Sequence, residues 1–223
     1  MQFTYHKHSG DEYIVVDGDL HKYLFKVRRH SKEKNLFFRN LDDNNIYEYK
    51  IINSGRRDTQ FQLISSKELI LKQSNSLHIG WCIVDSKTIE KVLASLNELG
   101  VEKISFIYCT YSQKQFKLNF EKLTKILINS SQQCGRSDLM TLETYDSLDE
   151  FINDYPDTYM FNFSTNHIDN IKNDIKTIVI GCEGGFSDDE ITQISPDKIV
   201  GINSNLILRS ETATVSVASK ILI

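Results

Sequence analysis

Apolar and polar positions follow two different rhythms along the chain. In the first third, residues 12–16, 35–39, 46–53 and 59–66 read as short strands, rich in β-branched and aromatic side chains. Polar turns such as Asp42-Asp43-Asn44-Asn45 and Ser54-Gly55-Arg56-Arg57-Asp58 separate them, and only 19–29 looks helical. This predicts a small β-barrel ending near Leu71, with Lys72-Gln73-Ser74-Asn75-Ser76 as a linker. From Leu77 onward, strand-like runs at 77–84, 104–108, 158–163, 176–180 and 198–202 alternate with helical patterns, the sign of a parallel sheet covered by helices. Ile89, Val92, Leu93, Leu96 and Leu99 recur at helical spacing, and Gly100 is placed to stop that helix. Phe120, Leu123, Ile126, Leu127 and Ser130 mark a second amphipathic helix. From Glu211 to Ile223, small residues mix with Val215, Val217, Ile221 and Leu222, which predicts a closely packed helix with a buried apolar end. The expected architecture is α/β in two domains, 1–72 and 73–223, without internal repeats.

Composition narrows the class. A chain of 223 residues, 40% hydrophobic, can bury a substantial core. No basic-then-apolar leader and no run of membrane-spanning length is present, so a cytoplasmic enzyme without a membrane partner is expected. The four cysteines, Cys82, Cys109, Cys134 and Cys182, form no C-x-x-C pair, which suggests reduced, mostly buried thiols rather than a zinc site or disulfide framework. The histidines at 6, 8, 21, 30, 78 and 167 form no ligand-spaced cluster with acids, so no metal is expected. A formal charge of −4 argues against a general nucleic-acid coat. Basic residues nevertheless gather locally, as Lys22, Lys26, Arg28, Arg29, His30, Lys32 and Lys34, then Arg39, then Arg56 and Arg57. They read either as a solvated face or as an RNA-contacting patch.

Candidate chemistry centres on Gly181-Cys182-Glu183-Gly184-Gly185-Phe186-Ser187, which follows the apolar run Thr177-Ile178-Val179-Ile180. Asp188-Asp189-Glu190-Ile191 opens a helix directly after it. Glycines at a strand-to-helix junction let backbone N–H groups approach a ligand, and in open α/β sheets the ligand crevice lies beyond such strand ends. The pattern is neither G-x-G-x-x-G nor G-x-x-x-x-G-K-[ST], so neither a dinucleotide nor a triphosphate is indicated. A tight connection without a ligand is the ordinary alternative.

A second stretch, Asn203-Ser204-Asn205-Leu206-Ile207-Leu208-Arg209-Ser210-Glu211-Thr212-Ala213, gives the first its meaning. Together they resemble the signature of the RsmE family of ribosomal RNA methyltransferases, close to Gly-Pro-Glu-Gly-Gly-Phe-Ser and then Leu-Gly-x-Arg-Ile-Leu-Arg-Thr-Glu-Thr-Ala. Glu98-Leu99-Gly100-Val101, Gln133-Cys134-Gly135-Arg136 and Leu24-Phe25-Lys26-Val27-Arg28-Arg29 resemble further family segments, in the family's order. Cys182 stands where the family has proline, Ser210 where it has threonine, and Ser204 and Leu206 where it usually has glycine and arginine. Ser95 and Met140 likewise replace a common lysine and proline.

The resemblance implies a SPOUT-type knotted methyltransferase domain behind a small PUA-like β-barrel that binds RNA. It further implies a homodimer that transfers the methyl group of S-adenosylmethionine to N3 of a uridine in 16S ribosomal RNA of the small subunit. Three loops would hold the cofactor. The first carries Phe161, Phe163 and Ser164, the second Gly181, Glu183, Gly184, Gly185 and Phe186, and the third Gly201, Ile202, Leu206, Ile207 and Leu208. Uridine N3 is protonated at neutral pH, so a cation near the base oxygens and a carboxylate to accept the proton would assist. Arg209 and Glu211 are the candidates, with Arg136 reaching the site from a second subunit or gripping a phosphate. Lys26, Arg28, Arg29, Arg39, Arg56 and Arg57 are the candidate RNA contacts. Arg209 and Glu211 could instead form a charged pair at a helix start. Two rival functions remain: a knotted methyltransferase with another target, such as a transfer RNA ribose 2′-oxygen, and a noncatalytic RNA-binding or assembly factor.

Overall fold

The computed structural model describes residues 3–31, 34–113 and 117–223, so Lys32 of the basic cluster lies outside the described residues. The chain divides into two compact units, Met1–Lys72 with Ser131–Leu139, and Gln73–Ser130 with Met140–Ile223.

In the first unit come β1 (Thr4–Tyr5), β2 (Tyr13–Asp17), a helix α1 (Gly18–Lys22) that runs on in π-helical geometry over Tyr23–Val27, β3 (Leu36–Arg39), β4 (Asn45–Ser54) and β5 (Asp58–Glu68). They form one sheet in the order β1-β3-β4-β5-β2. Its pairings are antiparallel except β1 with β3. Strand β2 shows the period of two directly: Ile14 and Val16 are buried while Tyr13, Val15 and Asp17 face out. The core gathers Leu24, Phe38, Tyr49 and Phe61, and Phe38 meets the rings of Tyr49 and Phe61 edge-on at 5.4 and 5.3 Å. The distant segment is tied in by Tyr5 N–H donating to Gln132 Oε1 at 2.8 Å and by Ser137 N–H donating to the Leu71 carbonyl at 3.0 Å.

The second unit is a parallel sheet with helices. Its elements are β6 (His78–Cys82), α2 (Ser86–Leu99), β7 (Lys103–Ile107), α3 (Phe120–Cys134, whose last residues belong to the first unit), β8 (Thr141–Tyr145) and α4 (Leu148–Asp154). They continue with β9 (Tyr159–Phe161), α5 (Ile168–Ile171), β10 (Thr177–Ile180), α6 (Asp188–Thr192), β11 (Ile199–Val200) and α7 (Ser210–Leu222). All strand pairs are parallel, in the order β11-β9-β10-β6-β7-β8. The chain therefore builds one side outward from β6 through β7 and β8, then crosses to build the other. Such a reversal opens a crevice at the carboxyl ends of the strands. Helix α2 stops at Gly100, whose φ of +92° is the left-handed cap that glycine takes without strain. Among the described residues, no helix is long and apolar enough to cross a membrane.

At the amino ends of the central strands lies a satisfied polar network. Ser105 Oγ donates to Glu143 Oε1 at 2.5 Å, and Lys103 Nζ reaches the same oxygen at 2.7 Å and Tyr155 Oη at 2.6 Å. His78 Nε2 lies 2.7 Å from Ser105 Oγ. Because the serine proton is already given to Glu143, the ring nitrogen is the donor, which selects the Nε2–H tautomer. Burial, with Lys103 nearby, pushes the His78 pKa down to about 4, so the ring is neutral at pH 7.

One expectation from composition fails. Cys82 and Cys109, at the carboxyl ends of β6 and β7, are joined as a disulfide, while Cys134 and Cys182 are free. Lateral strand pairing brings the two positions together across the 27 residues that separate them, which no local spacing of cysteines could announce. Cys134 is also exposed, so burial holds for the other three only.

Candidate active site

Beyond the carboxyl ends of β9, β10 and β11 opens a cavity of about 830 Å³. Three loops and the first turn of α7 line it. Phe161, Phe163 and Ser164 stand on one wall, Gly181, Glu183, Gly184, Gly185 and Phe186 on the next, and Gly201, Ile202, Leu206, Ile207 and Leu208 on the third. The structure thus brings together every residue assigned to the cofactor from sequence. Ile180, Cys182, Ser204, Ser210 and Ala213 also line the cavity.

The glycine turn is fixed from several directions. Gly185 N–H donates to the Cys182 carbonyl at 3.0 Å, and the φ of +72° at Gly185 is why glycine is needed there. Ser187 caps α6: its Oγ accepts from Glu190 N–H at 3.3 Å, and its own N–H donates to Glu190 Oε2 at 2.8 Å. The other oxygen of this buried carboxylate accepts from Thr110 N–H at 2.8 Å, which ties the turn to the loop after β7. From the opposite side, Ser210 Oγ donates to the Gly181 carbonyl at 2.5 Å and accepts from Trp81 Nε1 at 2.9 Å. Glu190 was readable as a capping box, since Ser187 precedes it by three residues. Trp81 carried no such signal; only the sheet order brings it under α7. Burial raises the Cys182 thiol pKa, so the thiol stays protonated beside the cavity.

The third wall rests on a close passage of backbone. Gly201 donates its N–H to the Asn166 carbonyl and accepts from Ile168 N–H, both at 2.9 Å. Asn162 N–H donates to the Val200 carbonyl at 2.9 Å, and Ser164 Oγ to the Ile199 carbonyl at 3.0 Å. A Cβ on residue 201 would stand 2.6 Å from the Ser164 carbonyl oxygen. Further along, Ser204 and Leu206 close a small local turn: Leu206 N–H donates to Ser204 Oγ at 3.1 Å, and Ser204 N–H to the Ile202 carbonyl at 3.0 Å. Here Phe163, Leu206 and Ile207 are 80%, 78% and 80% exposed, an unusual position for large apolar side chains.

Comparison with known proteins agrees with this geometry. Residues 72–222 match the RNA methyltransferase domain family. A relative from Helicobacter pylori named ribosomal RNA small subunit methyltransferase E is 33% identical over 222 residues, covering 98% of each chain. The chain belongs to the ribosomal RNA small subunit methyltransferase E family. Its fold is also shared with a solved Legionella pneumophila methyltransferase in complex with SAM, at a TM-score of 0.79, 21% identity and coverage of 98% and 95%. A ribosomal RNA small subunit methyltransferase E from Neisseria gonorrhoeae bound to S-adenosyl methionine gives the same TM-score at 15% identity, with coverage of 98% and 95%.

The candidate catalytic groups of this family member fall in different places. Arg209 is the exposed N-cap residue of α7, and Glu211 is half-buried in its first turn. Both flank Ser210, which lines the cavity, but their own side chains do not line it. Arg136 is only 6% exposed, in the segment that joins the first unit, and its Nε and Nη2 each meet Asp138 at 3.1 Å. That two-pronged pair gives the guanidinium a structural task.

Among the expected RNA contacts, Arg39 is a correction. It is 0% exposed, donates to the carbonyls of Leu69, Asn44 and Asn45, and lies over the Phe3 ring, so no phosphate can reach it. Its strand neighbour Phe38 is fully buried as well, so the period of two breaks at this strand end, and carbonyls replace the hydration of Nη1 and Nη2. Lys26, Arg28, Arg29, Arg56 and Arg57 are exposed. Arg28 stacks on Tyr23 at 5.0 Å and lines a second cavity, of about 530 Å³, with His30 and Asn35 over Leu24 and Leu36.

Proposed function

We propose that this chain is an S-adenosylmethionine-dependent methyltransferase acting on N3 of a uridine in 16S ribosomal RNA of the small subunit, in the cytoplasm. The observation that carries the reading is the single cavity walled by all three loops, at the strand ends of a member of this family.

The residues present suit that cofactor. Ile180, Phe186, Ile202 and Leu208 offer apolar surface to an adenine ring, and the glycine turn exposes backbone N–H and C=O groups without Cβ atoms in the way. When bound, S-adenosylmethionine supplies an electrophilic methyl group on a sulfonium. The chain's own work is to make uridine N3 a nucleophile. Glu211 accepts the N3 proton, and Arg209 stabilises the charge that develops on the base oxygens. Exposed Lys26, Arg28, Arg29, Arg56 and Arg57 hold RNA phosphates.

Three finer features belong to the same reading. The passage of residues 199–201 against the 162–168 segment supports a trefoil knot. The five-stranded, largely antiparallel sheet of the first unit supports a PUA-like RNA-binding barrel. Exposed Phe163, Leu206 and Ile207 at the cavity support a homodimer whose second copy covers them.

Small-subunit RNA from cells lacking the protein should lose one N3-methyluridine by mass analysis, and adding back the chain should restore it. Persistence of that methyl would overturn the assignment. Arg209→Ala should reduce methyl transfer at least about a hundredfold while S-adenosylmethionine still binds, as expected when a charge-stabilising donor is removed; near-normal turnover would remove Arg209 from the mechanism.

A further inference from the structure

Tyr111 is an aromatic side chain that the fold leaves largely open to solvent. It is 53% exposed, and among the described residues its hydroxyl makes no hydrogen bond. Its position is nevertheless fixed. The turn that carries it is closed by Ser112 N–H donating to the Cys109 carbonyl at 3.0 Å and by Cys109 N–H donating to Ser112 Oγ at 3.2 Å. Cys109 is held to β6 by the disulfide with Cys82, and Thr110 N–H is held by Glu190 at 2.8 Å.

What this turn holds the tyrosine against is the glycine turn. A Cβ on Gly184 would stand 2.9 Å from Tyr111 Cβ and 3.3 Å from Cγ, so the side chain lies directly on the Gly184 backbone. Gly184 lines the cavity and Tyr111 does not. The ring is therefore placed beside the cofactor wall yet outside the cofactor's cavity, where it meets whatever approaches that wall from solvent.

We infer that Tyr111 is a stacking platform for the target uracil. This rests on the reading of the site as a uridine-N3 methyltransferase. N3 lies on the pairing edge of the base, so it reacts only when that edge is unpaired, in a single strand or in a base turned out of its helix, and presenting it to the methyl donor costs stacking in the RNA. An exposed aromatic face fixed beside the methyl-donor wall replaces that loss, and base–aromatic stacking lowers affinity by roughly five- to a hundredfold when the ring is removed. Every base has a π-face, so the ring positions the substrate without reading its sequence, and it does so in the RNA-bound state only.

The test uses the full chain, S-adenosylmethionine, and small subunits from cells lacking the protein. Tyr111→Ala should raise KM for the subunit about tenfold or more, with cofactor Kd by calorimetry unchanged within about twofold; Tyr111→Phe, which keeps the ring, should match the wild type. An unchanged KM in Tyr111→Ala overturns the inference. So does a parallel loss of cofactor affinity, which would make the ring a prop for the glycine turn, or a Tyr111→Phe defect equal to that of alanine, which would assign the role to the hydroxyl. A wild type that binds cofactor and methylates no uridine N3 overturns the functional reading and this inference with it. An active wild type with an indifferent alanine variant overturns the inference alone.

Discussion

The two ends of the parallel sheet use polar groups in opposite ways. At the amino end, His78, Ser105, Glu143, Lys103 and Tyr155 spend their hydrogen bonds on one another. At the carboxyl end, the backbone of three loops faces a cavity, and of the side chains that hold those loops Glu190 and Trp81 stand behind the wall while Ser210 lines it. The strongly shifted histidine belongs to the first end. A depressed pKa usually flags a working site, but here it reports burial within a closed network. What distinguishes the working end is room for a ligand.

That contrast can be broken at either end. The largest effect is expected from Gly201→Ala, since the new Cβ would meet only backbone, at 2.6 and 3.0 Å from the Ser164 oxygen and nitrogen and 3.1 Å from the Asn162 oxygen. A stability loss of about 3 kcal/mol and no cofactor binding are expected, measured by denaturant unfolding and calorimetry; unimpaired binding would show that the passage is not a fixed wall. The amino end should answer to pH instead. With a folded pKa of about 4 against 6.5 unfolded, the contribution of His78 is complete above pH 6.5 and lost as pH falls toward 4. The loss is on the order of 3 kcal/mol from this group, and thermal unfolding of His78→Gln should show a flatter pH dependence across that window. Equal slopes in variant and wild type would detach the network from acid stability. The smallest effect belongs to Ser204→Ala, which removes one exposed turn contact and should change stability by less than about 0.5 kcal/mol and cofactor affinity by less than about twofold. A larger change would show that the third loop needs this serine to stand in for the family's glycine.

The sequence made the sheet legible wherever runs were apolar and buried, as at Ile178-Val179-Ile180 and Ile104 to Ile107. It hid the edges. Strand β8, Thr-Leu-Glu-Thr-Tyr, is half-exposed and polar enough to pass for a loop, and β1 is too short to show any period. The cavity walls were legible because glycine spacing and local order belong to short stretches of chain. Contacts made across the sheet were not: the Cys82–Cys109 disulfide, the anchoring of Thr110 by Glu190, and the burial of Arg39 all depend on which strands become neighbours. Arginines 28, 29 and 39 look alike in sequence, but the first two follow the end of a helix in solvent, while the third ends a strand where backbone carbonyls close over it.

The hydrogen bond between Trp81 and Ser210 spans 129 positions of chain. Contacts of such separation form late, because the loop entropy must be met before they reward it. The glycine turn therefore receives its last support only when α7 docks on an already assembled sheet. Trp81 is also the sole tryptophan, fully buried, with its indole N–H on that same serine. The molecule thus carries its one tryptophan at the step that completes its site, and the slow phase of its refolding tryptophan fluorescence should report the arrival of that helix.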